Sequence, residues 1–213
     1  MEGRHGTARG ARAMSDDVET DIRGLIEGGE LNAAMEGTLE AYGTALYGYI
    51  FSLARDHQVA EEVFQMASVD IWRGLEGFSW RSALKTWCFT VSRNAWLRYS
   101  RSPHRRRFDP LTTDAQRNLI ARATRSATQQ WRRTESKHWL WEVVERFDAE
   151  DQQLFRLRLM HKMAWKEIAR LIYEEPGAPL DDDQIKRRSA RLRKRYNRLK
   201  EELRDARAEQ RSE

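Results

Sequence analysis

WKEIARLIYEEPGAPLDDDQIKRRSARLRKRYNRLKEEL, running from Trp165 to Leu203, decides how this chain is read. Its first part carries Trp165, Ile168, Ala169 and Ile172 at helical spacing. A turn rich in Glu, Pro, Gly and Asp follows, and then a longer, intensely basic helix. In that second helix Ile185, Ser189, Leu192, Tyr196, Leu199 and Leu203 recur at spacings of four and three. Lys186, Arg187, Arg188, Arg191, Arg193, Lys194, Arg195 and Arg198 fill the remaining faces. One narrow stripe can pack and the rest is cationic. A short helix, a turn and a basic helix is the order of a helix-turn-helix. So many cations on one helix suit a polyanion, and DNA phosphate is the usual one. The competing reading is a merely solvated charged helix.

Composition narrows the setting. A chain of 213 residues suits one large or two small domains. The formal net charge of +5 understates the local balance, because the last helix and the run Ser102-Pro103-His104-Arg105-Arg106-Arg107 are much more basic than the average. Cys88 is the only cysteine, which excludes an internal disulfide and a thiolate zinc site. No apolar run approaches the roughly 20 residues that span a bilayer, and the first residues lack a signal-peptide hydrophobic stretch. A cytoplasmic protein without membrane insertion is expected.

Upstream of the quoted stretch the pattern is helical throughout. Residues 1–20 have little apolar content and are expected to form a disordered tail. From Leu39 to Ala54 the positions Leu39, Tyr42, Leu46, Ile50, Leu53 and Ala54 make one helical face. Gly43 and Gly48 each cost that helix about 1 kcal/mol of propensity, which packing must offset. A second helix is expected over Val59 to Leu75 and a third over Ser82 to Arg101, with the aromatic loop Gly77-Phe78-Ser79-Trp80-Arg81 between them. Residues 108–138 are poor in apolar periodicity and read as a basic, flexible linker. Two helices then precede the helix-turn-helix, the first marked by Trp139, Leu140, Val143, Val144 and Phe147. No strand pattern or internal repeat is apparent, so the fold expected is all-α.

Two stretches of the first half join the helix-turn-helix in a recognisable order. Ala60-Glu61-Glu62-Val63-Phe64-Gln65 precedes Asp70-Ile71-Trp72-Arg73, and Leu84-Lys85-Thr86-Trp87 precedes Val91-Ser92-Arg93-Asn94. Met163-Ala164-Trp165-Lys166-Glu167-Ile168-Ala169 and Gln184-Ile185-Lys186-Arg187-Arg188 complete the set. Together, from about Leu39 to Leu203, they resemble the extracytoplasmic-function (group IV) sigma factors of bacterial RNA polymerase. The resemblance implies two small helical domains. Residues 21–107 would be a sigma region 2-like domain that binds core polymerase and the minus-ten element. Residues 139–205 would be a region 4-like helix-turn-helix for the minus-thirty-five element, with 108–138 as the linker. It implies bacterial RNA polymerase core, promoter DNA and an anti-sigma factor as partners. The sequence departs from the family pattern at Trp80, where glycine is usual, at Arg98, where aspartate is frequent, and at Ala164, where Ser or Thr caps the helix. Without that cap, Glu167 supplies only half of a capping box.

Roles follow from the resemblance and from side-chain chemistry. On the last helix, Gln184, Arg187, Arg188 and Arg191 suit base edges, since Arg pairs with guanine and Gln with adenine. Lys186, Arg193, Lys194 and Arg195 suit phosphate. Opening the minus-ten element needs a base held out of the stack, for which Phe78, Trp80 and Asn94 are candidates, with Lys85, Arg98 and Arg101 along the same path. The alternative for Phe78 and Trp80 is closure of the small core. Trp72, Trp87, Trp139 and Trp165 are assigned to the core. Glu61, Glu62, Gln65 and Arg73 are the polymerase-facing candidates. Elements two helical turns apart lie roughly 70 Å from each other, whereas a linker of some thirty residues has an r.m.s. span of only about 30 Å. A rigid scaffold must therefore set the spacing, and polymerase is the natural one.

Catalysis finds little support. His5, His57, His104, His138 and His161 are scattered without metal-ligand spacing, and no phosphate-binding glycine loop or nucleophile elbow is present. No enzyme activity, metal or cofactor is expected. A recombinase with Tyr196 as nucleophile is the enzymatic alternative, and an autonomous helix-turn-helix regulator acting without polymerase is the stronger competitor.

Overall fold

The fold is organised around one helix that has almost no solvent face. A computed structural model describes residues 6–101, 113–134, 144–159, 161–174 and 178–209, with the side chains before residue 17 and at 133, 134 and 209 left aside. Among them are eight helices and no strand: α1 Gly6–Glu27, α2 Leu31–Ala54, α3 His57–Leu75, α4 Leu84–Arg101, α5 Asp114–Thr134, α6 Ala149–Leu159, α7 Trp165–Tyr173 and α8 Asp182–Glu209. Helix α2 packs against α1, α3, α4, α5 and α6. Its buried positions run around most of its circumference, from Ala34, Met35, Leu39 and Tyr42 to Leu46, Tyr47, Tyr49 and Ile50, as expected of a helix enclosed by others.

Local signals explain the breaks. Between α1 and α2, Gly29 adopts φ +77, a left-handed conformation that glycine takes without steric cost. Helix α2 ends on Arg55 in the left-handed region, its N–H bonded to the Phe51 carbonyl. One residue later Asp56 caps α3, its Oδ1 accepting from the Val59 N–H at 2.8 Å. Gly48 is explained by α5, because a Cβ there would overlap the Trp131 ring. Gly74 plays a similar part for Trp87, whose Cζ2 would lie 2.8 Å from an added Cβ.

Three expectations are corrected. The first twenty residues do not form a tail over their described part: α1 begins at Gly6, and Glu19 accepts bonds from the Tyr42 hydroxyl and the Lys85 N–H. The flexible linker is replaced over most of its length by α5, which packs on α2 and α3 through buried Ile120, Thr124, Ala127, Thr128 and Trp131. The two halves are not held apart, since α6 packs on α2 and α7 on α4. Residues 1–5, the run Ser102 to Arg107, the linker ends, Trp139, Leu140 and Val143 lie outside the described residues. Val144 is fully buried and Phe147 half-buried.

Candidate nucleic-acid interface

Helices α7 and α8 build the basic surface. The stripe Ile185, Ser189, Leu192, Tyr196, Leu199 and Leu203 is buried throughout, so the orientation of α8 is fixed by packing. At its start Asp181 and Gln184 form a reciprocal cap: Asp181 Oδ1 accepts from the Gln184 N–H at 2.7 Å, and Gln184 Oε1 accepts from the Asp181 N–H at 3.2 Å. At the start of α7, Glu167 Oε2 accepts from the Ala164 N–H at 2.6 Å, and Ala164 has no side chain to return the bond. It is half of a capping box, as the sequence implies.

Packing divides the cations of α8 into two groups. Arg187, Arg191 and Lys194 stand exposed at i, i+4 and i+7, a solvent-facing stripe, with Lys186 beside it and 3.6 Å from Asp183. Arg188 turns away from that stripe: its guanidinium lies 4.7 Å from the Tyr173 ring centroid and is half-buried. Arg195 is enclosed by acids, bonded to Asp151, to Glu150 at 2.7 Å and to Asp148 at 3.0 Å. The bond to Asp151 is the main reason its pKa rises above the ordinary arginine value. Asp148 is held below the usual carboxylate range, chiefly by the Asp151 N–H it accepts. Arg195 is therefore a structural residue, not a phosphate ligand. Its acidic partners were missed from the sequence, although Asp148-Ala149-Glu150-Asp151 has the spacing of a helix N-cap. Tyr196 packs between Phe155 and Trp165 and is only 8% exposed, which removes it as a nucleophile toward DNA. Trp165 is half-buried, with the Arg158 guanidinium 4.7 Å from its ring.

The promoter-opening candidates lie on α4 and the loop before it. Phe78, Trp80 and Trp87 form one aromatic cluster, with Phe78 centred 4.9 Å from each of the other two rings. All three are half-buried. Trp80 adopts φ +56, the conformation that glycine takes most easily, at the position where glycine is usual. Arg23 of α1 covers its ring at 5.5 Å. Asn94 is half-buried, Arg101 is exposed, and Arg98 is paired with Asp70 at 2.6 Å. Lys85 points into the second half of the molecule, its Nζ donating to the His161 carbonyl at 2.8 Å. Burial holds its pKa below the ordinary lysine value.

The polymerase-facing candidates lie on α3. Glu61, Glu62 and Gln65 are half-buried and Arg73 is exposed. Helix α5 reaches this side, where Thr128 Oγ1 donates to Glu61 Oε1 at 3.4 Å. The structure thus leaves Glu61 beside α5, a neighbour the linker reading did not anticipate. No group of acidic, His or Cys side chains suited to a metal ion occurs among the described residues.

Neither the curated proteins nor the solved structures include a match to this chain. Residues 38–107 match the family model for Sigma-70 region 2, a span that takes in most of α2, all of α3 and α4, the aromatic loop between them, and each candidate placed on those elements. This part of the chain is accordingly similar to sigma-70 region 2, and the match supports a sigma-70 family factor.

Proposed function

We propose that this protein is an RNA polymerase sigma factor of the extracytoplasmic-function type. Its first half would bind core polymerase and help open the minus-ten element, and α7 and α8 would read the minus-thirty-five element as a helix-turn-helix. The region 2 match over residues 38–107 carries the reading, because domains of that family act in polymerase binding and promoter melting. The exposed stripe Arg187, Arg191 and Lys194 supports the second part, since a cationic helix face of that spacing fits a major groove lined by phosphates.

In this reading the first half takes in α1 to α5 and the second α6 to α8, with an anti-sigma factor as a further partner. Among the described residues no helix is long and apolar enough to cross a membrane. In vitro transcription with core polymerase on promoter templates is the decisive test. Start-site-specific transcripts that depend on this chain are expected. A chain that binds duplex DNA yet neither associates with core polymerase nor directs initiation would instead be an autonomous helix-turn-helix regulator.

A further inference from the structure

We propose that one ridge of α1, formed by Glu19, Arg23 and Glu27, positions the aromatic loop before α4 to receive an unpaired base of single-stranded DNA. The inference rests on the sigma-factor reading above and names positioning residues for it outside the matched segment. The three residues recur at i, i+4 and i+8, so they share one side of the helix. Beside them Ile22 is buried and Leu25 and Ile26 pack against the core, which fixes how the ridge is presented. Glu19 Oε1 accepts from the Lys85 N–H at 3.1 Å, one of the N–H groups that the first turn of α4 leaves without a partner inside the helix. One turn later the Arg23 guanidinium lies 5.5 Å from the Trp80 ring centroid. Another turn on, Glu27 Oε1 accepts from Arg23 Nε at 2.8 Å.

The energetics separate orientation from stability. The Arg23 and Glu27 side chains are 54% and 63% exposed, and an ion pair in water adds little to folding. What it removes is the rotational freedom of the guanidinium, which is thereby held over the indole. Trp80 needs such a hold. Its φ of +56 is strained for any residue with a Cβ, and strain of this kind persists only where surrounding contacts enforce it, often at functional sites. Two contacts restrain the ring, Phe78 at 4.9 Å and Arg23 at 5.5 Å, and the half-buried residue keeps part of its surface in solvent, on which a base can stack. Arg23 acts through Trp80 and is therefore a positioning residue.

The test is a mutant cycle in the full-length chain, read as affinity for a random-sequence single-stranded DNA pool, with random duplex of equal length as the control. Trp80→Ala is expected to weaken single-strand binding about tenfold, the loss of one stacked base. Arg23→Ala should weaken it about threefold, the scale of an exposed cation–π contact, with melting temperature and duplex binding unchanged. In the Trp80→Ala background the same substitution should cost nothing more, because its effect passes through the ring. Glu27→Gln removes a negative charge, which by charge alone would favour DNA. Positioning expects instead a loss of about twofold, the scale of an exposed ion pair. Additive losses from Arg23→Ala and Trp80→Ala, or tighter binding by Glu27→Gln, would make Arg23 an ordinary phosphate contact and overturn the proposal. An equal loss on duplex, or a wild-type chain that binds no single-stranded DNA, overturns it as well. Association with core polymerase is scored separately. Failure there counts against the sigma-factor reading, while the cycle on free DNA still decides the positioning.

Discussion

Two pairs of residues that look alike in sequence are told apart by their neighbours. Gly43 and Gly48 both sit inside α2, and helix propensity alone predicts that alanine stabilises either by about 1 kcal/mol. At Gly43 an added Cβ finds the Phe64 ring at an ordinary 3.7 Å, so Gly43→Ala should raise stability by about 0.5 to 1 kcal/mol. At Gly48 the same atom overlaps the Trp131 ring, and overpacking costs of about 1 to 3 kcal/mol outweigh the propensity gain. Urea denaturation of the two variants should therefore give shifts of opposite sign. Arg187 and Arg188 divide in a similar way. Arg187 is exposed on the solvent stripe, and Arg187→Ala should weaken upstream-element binding by about 1 to 3 kcal/mol and relax its base preference. Arg188 is stacked on Tyr173, so Arg188→Ala should act mainly on folding stability, with a smaller effect on DNA discrimination. Competition binding against random duplex checks both, and equal losses on every sequence would reassign Arg187 to phosphate.

At the scale of the element, α4 and α7 meet at a histidine whose protonation is tied to their packing. Burial, with Lys85 and Arg156 adding to it, pushes His161 from 6.5 down to about 3. The folded protein therefore keeps His161 neutral while the unfolded chain takes up a proton below pH 6.5. Stability contributed by this site is complete above that value and declines toward pH 3, at about 1.4 kcal/mol per pH unit once below the unfolded pKa. Replacing the imidazole in His161→Met should flatten the decline, read as the difference in urea midpoint between wild type and variant at pH 7 and pH 5. An unchanged slope would show that the imidazole is not held neutral by the fold. Legibility in the sequence also varies by element. The stripe of α8 was plain because its apolar positions are large and regular. Helix α5 was hidden, since its buried face is built from Ile120, Thr124, Ala127, Thr128 and Trp131, too polar on average to register. Inside the helix the Thr124 and Thr128 hydroxyls bond back to the Ile120 and Thr124 carbonyls at 2.8 Å each, which lets the two threonines pack as if apolar. The acids around Arg195 stand 44 to 47 positions away, beyond any local pattern.

For the whole molecule the question is how strongly the two halves depend on each other. Each has large buried side chains of its own: Tyr47, Phe64 and Leu84 in the first, Phe155, Ile168, Leu192 and Leu199 in the second. Contacts between them include polar ones, such as Gln153 Nε2 donating to the Tyr49 hydroxyl at 2.8 Å. A hydrogen bond of this sort contributes only about 1 kcal/mol net, far less than either core. Damage to one half should consequently be transmitted weakly to the other. Trp131→Ala removes a ring that is 5% exposed and lies against α2, at a cost of about 3 to 5 kcal/mol to the first half. Hydrogen exchange by segment should then show a large loss of protection in α2, α3 and α5, while α7 and α8 keep most of theirs. A uniform loss along the chain would mean instead that the two halves form a single cooperative unit.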